Sequence, residues 1–112
     1  MNTCIVTGRL TRNAVLNGQD NKALQFTVAA KHGYNSEKEE EMIEYVPCVL
    51  FNPSDRLTEL LTQNGKGVFV EFEGRVASSR YEKEGTMVYK TKVVVINRSF
   101  SFVSSPQPDL YV

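Results

Sequence analysis

The amino-acid sequence predicts an all-β domain with one short helix, built as a five-stranded Greek-key barrel with the helix between strands three and four. Three observations carry that expectation. The chain has 112 residues, enough for one core and too few for two lobes. Five strand-like stretches are separated by Gly, Pro and Asn punctuation. A single apolar stripe at helical spacing falls between the third and fourth stretches. Closure into a barrel leaves no long sheet edge open, whereas a small β-sandwich, the competing architecture, has no need of a helix at that point.

The first strand covers residues 4–10 (CIVTGRL) and holds Gly8; a glycine inside a strand marks a bulge, a sharp bend or a close backbone approach. Asn17-Gly18 is a hairpin-type turn signal. Residues 23–31 alternate, with Leu24, Phe26, Val28 and Ala30 against Gln25, Thr27, Ala29 and Lys31, the pattern of a half-buried strand. Residues 33–43 read as a polar, Glu-rich loop. A third strand runs over 44–51, where Pro47 has no amide proton and predicts a free edge or a bulge. In the helix that follows, Asn52 suits the N-cap, Pro53 the first helical position and Asp55 the positive end of the dipole. Leu57, Leu60 and Leu61 make its apolar stripe, and Asn64-Gly65 its stop. The fourth strand sets Val68, Val70, Phe72, Gly74 and Val76 against Phe69, Glu71, Glu73 and Arg75. A hairpin tip at 82–85 leads to a last strand from about Met87 to Phe102, so the domain spans 1–103 and residues 104–112 form a loose tail. This element order is that of the OB-fold.

Composition narrows the function classes. With 41% apolar and 23% charged residues the chain is globular. The apolar run Val93–Ile96 is far short of the ~20 residues a membrane helix needs. Met1-Asn2-Thr3-Cys4 lacks the features of a secretory leader, so a cytoplasmic protein is expected. Thirteen basic and thirteen acidic residues cancel, yet their distribution is uneven. Residues 1–31 carry +3, residues 32–73 carry −6 and residues 74–103 carry +4. Two basic segments around an acidic one suit a polyanion partner, although ordinary surface mixing gives the same sum. Cys4 and Cys48 with the single His32 make no zinc set. There is no Ser/His/Asp set, no P-loop, and no EF-hand spacing in the acidic run from Glu37 to Glu44. No catalytic residue, metal or cofactor is therefore expected, and the chain reads as a binding protein rather than an enzyme.

Aromatics set among polar residues point to the ligand. Tyr34 follows the second strand, Tyr45 opens the third and Phe51 closes it, and Tyr81 stands beside Arg80 near the last hairpin. Rings interleaved with Lys and Arg on a barrel suit single-stranded nucleic acid, whose bases stack while cations track the phosphates. Rings at strand ends also simply cap a core, and for Tyr45 and Phe51 the pattern alone leaves both readings open.

These segments together resemble the bacterial-type single-stranded DNA-binding proteins, homo-oligomers with one OB-fold per chain. The likeness rests on Asn2 to Leu10, Phe26-Thr27-Val28-Ala29, Glu44 to Phe51, Lys66-Gly67-Val68 with Val70 to Val76, and Tyr89 to Val95. It implies sequence-independent binding and protection of single-stranded DNA in replication, recombination or repair. It places the stacking aromatics at Tyr34, Tyr45, Phe51 and Tyr81; at three of these family members commonly carry Trp, and this chain has none. Basic family positions fall on Arg56, Lys66 and Arg80, and Lys31 and Lys83 join them as candidate phosphate contacts. The family's long Gly/Gln/Pro-rich linker and acidic tip are absent from the 112 residues, which end in Asp109-Leu110-Tyr111-Val112. Little recruitment of other replication proteins is expected from such a tail, as in a phage, plasmid, accessory or truncated form.

The resemblance also implies assembly. Phe69 and Glu71 lie on the polar face of the fourth strand, and in the family that outer face packs on another subunit. A homo-oligomer is expected, a tetramer first and a dimer otherwise, with Phe69 between chains. A function of a different class competes: a protein-interaction module of a primosome-type complex, docking a partner through Phe69 and Tyr81.

Overall fold

The computed structural model describes residues 1–103, and the 104–112 tail lies outside them. Among the described residues the elements are β1 (Cys4–Leu10), β2 (Val15–Asn17), β3 (Ala23–Asn35), β4 (Glu40–Phe51), α1 (Asp55–Asn64), β5 (Phe69–Lys83), β6 (Thr86–Val95), a 3-10 turn (Asn97–Ser99) and β7 (Ser101–Phe102). β1, β3, β4, β6 and β5 form a closed circuit: β1 pairs antiparallel with both β3 and β5, β3 with β4, and β5 with β6. The circuit closes through a short parallel ladder, Cys48↔Val93 and Val49↔Val94, between β4 and β6. This is the five-stranded OB barrel with the helix between its third and fourth strands. β2 and β7 are short additions on β3 and β5.

Inward positions follow the period of two. Leu24, Phe26 and Val28 of β3, Val70 and Phe72 of β5, and Val93 and Val95 of β6 fill the barrel, with Leu61 of α1 under one end. Phe26 and Phe72 meet edge to face at 6.0 Å, and Phe100 stacks on Phe72 at 5.8 Å. β1 leaves β5 for β3 at Arg9, and Gly8 stands at that switch. A Cβ there would lie 2.3 Å from the Ala29 carbonyl oxygen, so the glycine serves a close backbone approach.

Four local expectations are corrected. The helix is capped by Ser54, whose hydroxyl accepts the Leu57 N–H at 3.1 Å. Asn52, read as the cap, instead turns the chain with φ of 54°. The supposed loop 33–43 is mostly hairpin, because β3 runs to Asn35 and β4 starts at Glu40. The last strand ends at Val95 rather than Phe102. Beyond it Ser99 Oγ accepts the Glu73 N–H at 2.9 Å, which holds the 3-10 turn against β5. Finally, Val76 is exposed rather than core, because β5 has by then risen beyond the barrel. Pro47 sits opposite Thr27, just before the β4–β6 ladder begins at Cys48, so its missing donor interrupts no ladder on that side.

Candidate nucleic-acid interface

Two long hairpins leave the same end of the barrel, opposite α1, since β4 and β6 run parallel from their tips down to the seam. In the β3–β4 hairpin, Ala29 faces Tyr45 and Ala23 faces Phe51, so both aromatics lie on the outer face, away from Leu24, Phe26 and Val28. Tyr34 has the parity of the core residues and would point inward in a regular strand. A bulge between Lys31 and Gly33 shifts the register, so that Tyr34 stands opposite Glu41. A one-residue insertion exchanges the faces of everything beyond it. His32, the extra residue, thereby puts Tyr34 on the face of Tyr45 and Phe51. Along β4 the three register positions span about 33 Å at about 3.3 Å per residue.

All four sequence-chosen rings are solvent-accessible, at 60% for Tyr34, 65% for Tyr45, 43% for Phe51 and 41% for Tyr81. For Tyr45 and Phe51 this decides between surface and core. Phe51 is the most anchored of the β4 pair: Asn97 Nδ2 donates to its carbonyl at 2.8 Å and the next amide, of Asn52, donates to the Lys22 carbonyl at 3.0 Å.

A groove of about 590 Å³ lies between the segment after β1 and the β5–β6 hairpin. Its floor is the outer face of β3 and β4, including Gln25, Pro47 and Val49. Arg12 stands on one wall and Lys90 and Lys92 on the other, and among the described residues no acidic one lines it. Asn13 fixes the Arg12 wall: its side chain donates to the Gln63 carbonyl at 3.3 Å and accepts the Lys66 N–H at 2.9 Å. Tyr81 shares the face of Ser79 and Lys90, and Lys90 Nζ sits 5.7 Å above its ring centroid, a cation–π pair.

The basic candidates are scattered differently from the sequence reading. Arg80 is opposite Tyr89 in register and so on the other face of the hairpin from Tyr81; neighbours in a strand cannot share a face. Lys83 keeps the face of Tyr81 but lies at the tip, one residue before the Glu84-Gly85 turn. Lys31 is on the outer face and pairs with Glu41 at 3.0 Å, an exposed pair that a phosphate can exchange at little cost. Lys66 adjoins the Asn13 wall, while Arg56 in the first turn of α1 lines no part of the groove. Arg12, Lys90 and Lys92 were missed because Arg12 lies about 80 residues from the two lysines in the chain and meets them only through closure of the barrel. Burial, with Cys4 adding to it, pushes the Cys48 thiol up to about 12, so this cysteine beneath the groove offers no thiolate at neutral pH.

The outer face of β1 and β5 is a separate surface. Arg9 stands 4.7 Å over the Phe69 ring and Thr7 Oγ1 donates to Glu71 at 3.2 Å. Ile5 beside them is 72% exposed.

Residues 1–102 match the model of the single-strand binding protein family. A single-stranded DNA-binding protein of Staphylococcus epidermidis is 29% identical over 96 residues, covering 85% of this chain and 72% of that protein. One from Fusobacterium nucleatum is 31% identical over 106 residues, covering 91% of this chain and 66% of its own length. Among solved structures, the Plasmodium falciparum SSB complex with ssDNA superposes with a TM-score of 0.73 at 13% identity, over 93% of this chain and 96% of that one; at that identity the likeness is one of fold.

Proposed function

The chain belongs to the single-strand binding protein family, and from that premise we propose that it binds and shields single-stranded DNA without reading its sequence. The observation that carries the proposal is the outer face of β3 and β4, where Tyr34, Tyr45 and Phe51 share one side with Gln25, Pro47 and Val49, the floor of the groove rimmed by Arg12, Lys90 and Lys92. Bases stack on the rings, each stack worth roughly 1–3 kcal/mol, and the cations follow the phosphates. Neither contact reads base edges, so selectivity is for the single strand itself. A duplex hides its bases and offers the rings nothing. Tyr81, with Lys90 over it, extends the stacking path onto the hairpin wall, and Lys31, Lys66 and Lys83 supplement the cations. The protein is a binder rather than an enzyme and works in the cytoplasm on DNA exposed in replication, recombination or repair. Docking of a protein through Phe69 and Tyr81 fits less well, since the two rings stand twelve residues apart on β5, about 40 Å at about 3.3 Å per residue.

Assembly belongs to the same proposal. From Cys4 to Gly8, β1 pairs with β5 alone and leaves its other edge open, beside exposed Ile5. An open edge next to an apolar residue invites a second copy. A tetramer, or otherwise a dimer, built on the β1–β5 face with Phe69 and Glu71 brings several grooves onto one strand and raises its effective concentration at each.

Tyrosine fluorescence titrated with oligo-dT and with a duplex of equal length tests the binding; tighter single-strand binding is expected, and equal or tighter duplex binding refutes it. Sedimentation of the wild type and of Phe69→Glu tests the assembly, and a wild-type monomer at micromolar concentration removes it.

A further inference from the structure

We propose that Gln25, on the floor of the groove, holds the unpaired Watson–Crick edge of one base of the bound strand, and that its amide takes any of the four bases. The proposal rests on the single-strand reading above and deepens it. Two side-chain amides line the groove, Asn13 and Gln25. Asn13 is committed to the fold, with one end on the Gln63 carbonyl and the other on the Lys66 N–H. Gln25 is exposed, and its amide makes no hydrogen bond among the described residues. It stands on the outer face between Val15 of β2 and Val49 of β4, its direct cross-strand partners. Pro47, two residues before Val49, extends the apolar surround.

The rings leave this stretch of floor uncovered. Tyr45 and Phe51 are six residues apart on β4, about 20 Å at about 3.3 Å per residue. Neighbouring bases of a stacked strand are only about 3.4 Å apart, so at least one base crosses Pro47 and Val49 with no ring beneath it. Its edge meets Gln25, one row from Phe51, since Ala23 is the partner of Phe51 and Gln25 that of Val49. An amide sets a donor and an acceptor side by side. Adenine and cytosine offer a ring nitrogen that accepts beside an amino group that donates. Thymine and guanine offer a ring N–H that donates beside a carbonyl that accepts. The terminal torsion of Gln is broad and two-fold, and half a turn exchanges the two ends of the amide, so each base finds its match. In a duplex the complementary strand already occupies that edge. Gln25 thus senses that an edge is free rather than which base carries it, and its aliphatic neighbours strengthen the contact by excluding water. The other uncommitted polar side chains of the groove lack this pair: Arg12, Lys90 and Lys92 only donate, and the hydroxyls of Thr27, Ser79 and Thr91 act through a single atom.

The test pairs substitutions with a modified strand. Methylating the ring N–H of thymine blocks the edge and leaves the face free to stack. In anisotropy titrations at fixed salt the wild type should bind oligo-dT roughly 2- to 12-fold more tightly than the same strand built from N3-methylthymidine, the loss of one net hydrogen bond. Gln25→Met, of similar length but without the amide, should lose the same factor on oligo-dT and bind the two strands alike, with an unchanged urea midpoint. Gln25→Glu turns the pair into two acceptors. A strand alternating dT and dG should then bind more tightly than one alternating dT and dA, because guanine alone sets two N–H donors side by side, whereas the wild type should not rank them. If Gln25→Met weakens the plain and the methylated strand by one factor, the amide holds the sugar–phosphate chain and the proposal falls. If Gln25→Met leaves oligo-dT binding unchanged, or Gln25→Glu ranks the alternating strands as the wild type does, it falls as well. A wild type that binds oligo-dT no more tightly than duplex overturns the single-strand reading itself, and this proposal with it.

Discussion

Replacing Phe51 with Ala separates a stacking ring from a core ring. The Phe51 side chain is 43% exposed, so somewhat more than half of the roughly 150–250 Å² that a Phe can bury is covered. At about 25 cal/mol per Å², and with the methyl group of Ala retained, truncation should cost the fold about 1–2 kcal/mol. Phe72, at 1% exposed, is the internal standard, with about 3–5 kcal/mol expected for its truncation. The backbone of the mutant should hold, because Asn97 grips the Phe51 carbonyl and Lys22 accepts the Asn52 amide independently of the ring. DNA affinity should fall by one stack, roughly 5- to 150-fold. That loss should exceed those of Tyr34→Ala and Tyr45→Ala, whose freer rings spend more of their binding energy on ordering. Urea unfolding gives the first quantity, and anisotropy of a labelled oligo-dT at fixed salt gives the second. A stability loss as large as that of Phe72→Ala, or an affinity within twofold of wild type in a folded mutant, would refute the placement of Phe51 on the DNA path.

Three further outcomes are expected. Removing Lys90, Lys92 or Arg12 singly should reduce the slope of log affinity against log salt by about 0.7 each, whatever the base sequence; an unchanged slope takes that cation off the phosphate track. Gly8→Ala should destabilise by about 1–3 kcal/mol in urea titrations, since the new methyl meets the Ala29 backbone rather than a movable side chain. The Cys48 thiol, raised from 9.0 to about 12 by burial, stays protonated in the fold where the unfolded chain has released its proton. Its contribution is therefore complete below pH 9 and declines as the pH rises from 9 toward 12, at up to about 1.4 kcal/mol per unit; the stability gap between wild type and Cys48→Ala should shift in that direction between pH 8 and pH 10.5.

The barrel was legible in the sequence because its strands alternate where one side is core: Leu24, Phe26 and Val28 announce β3 wherever the barrel covers them. Past Ala30 both faces of the hairpin are wet, the alternation disappears, and a long strand reads as a loop. The rings themselves were visible as aromatics in polar company. Their common face was not, because it depends on the bulge at His32, and a single extra residue leaves no mark on composition. Adjacency misled in the opposite sense at Arg80 and Tyr81, which touch in sequence and face apart in the ribbon. Helix capping was displaced by two residues because Asn52, with its positive φ, was taken up by the turn out of β4, leaving Ser54 to receive the Leu57 amide.

The parallel ladder that completes the barrel has two residue pairs, where the β3–β4 ladder has twelve and the β5–β6 ladder ten. With the two-pair β1–β3 ladder it is one of the two shortest joints in the circuit, and the groove straddles it, with Pro47 and Val49 on one bank and Lys90 and Lys92 on the other. A strand of DNA lying in the groove bridges that joint like a splint. Amide exchange at Val49 and Val94 should then slow when the groove is filled, while exchange in the β3–β4 ladder stays as it was. The barrel would report its own occupancy at one of its two shortest seams, the only parallel one among the described residues.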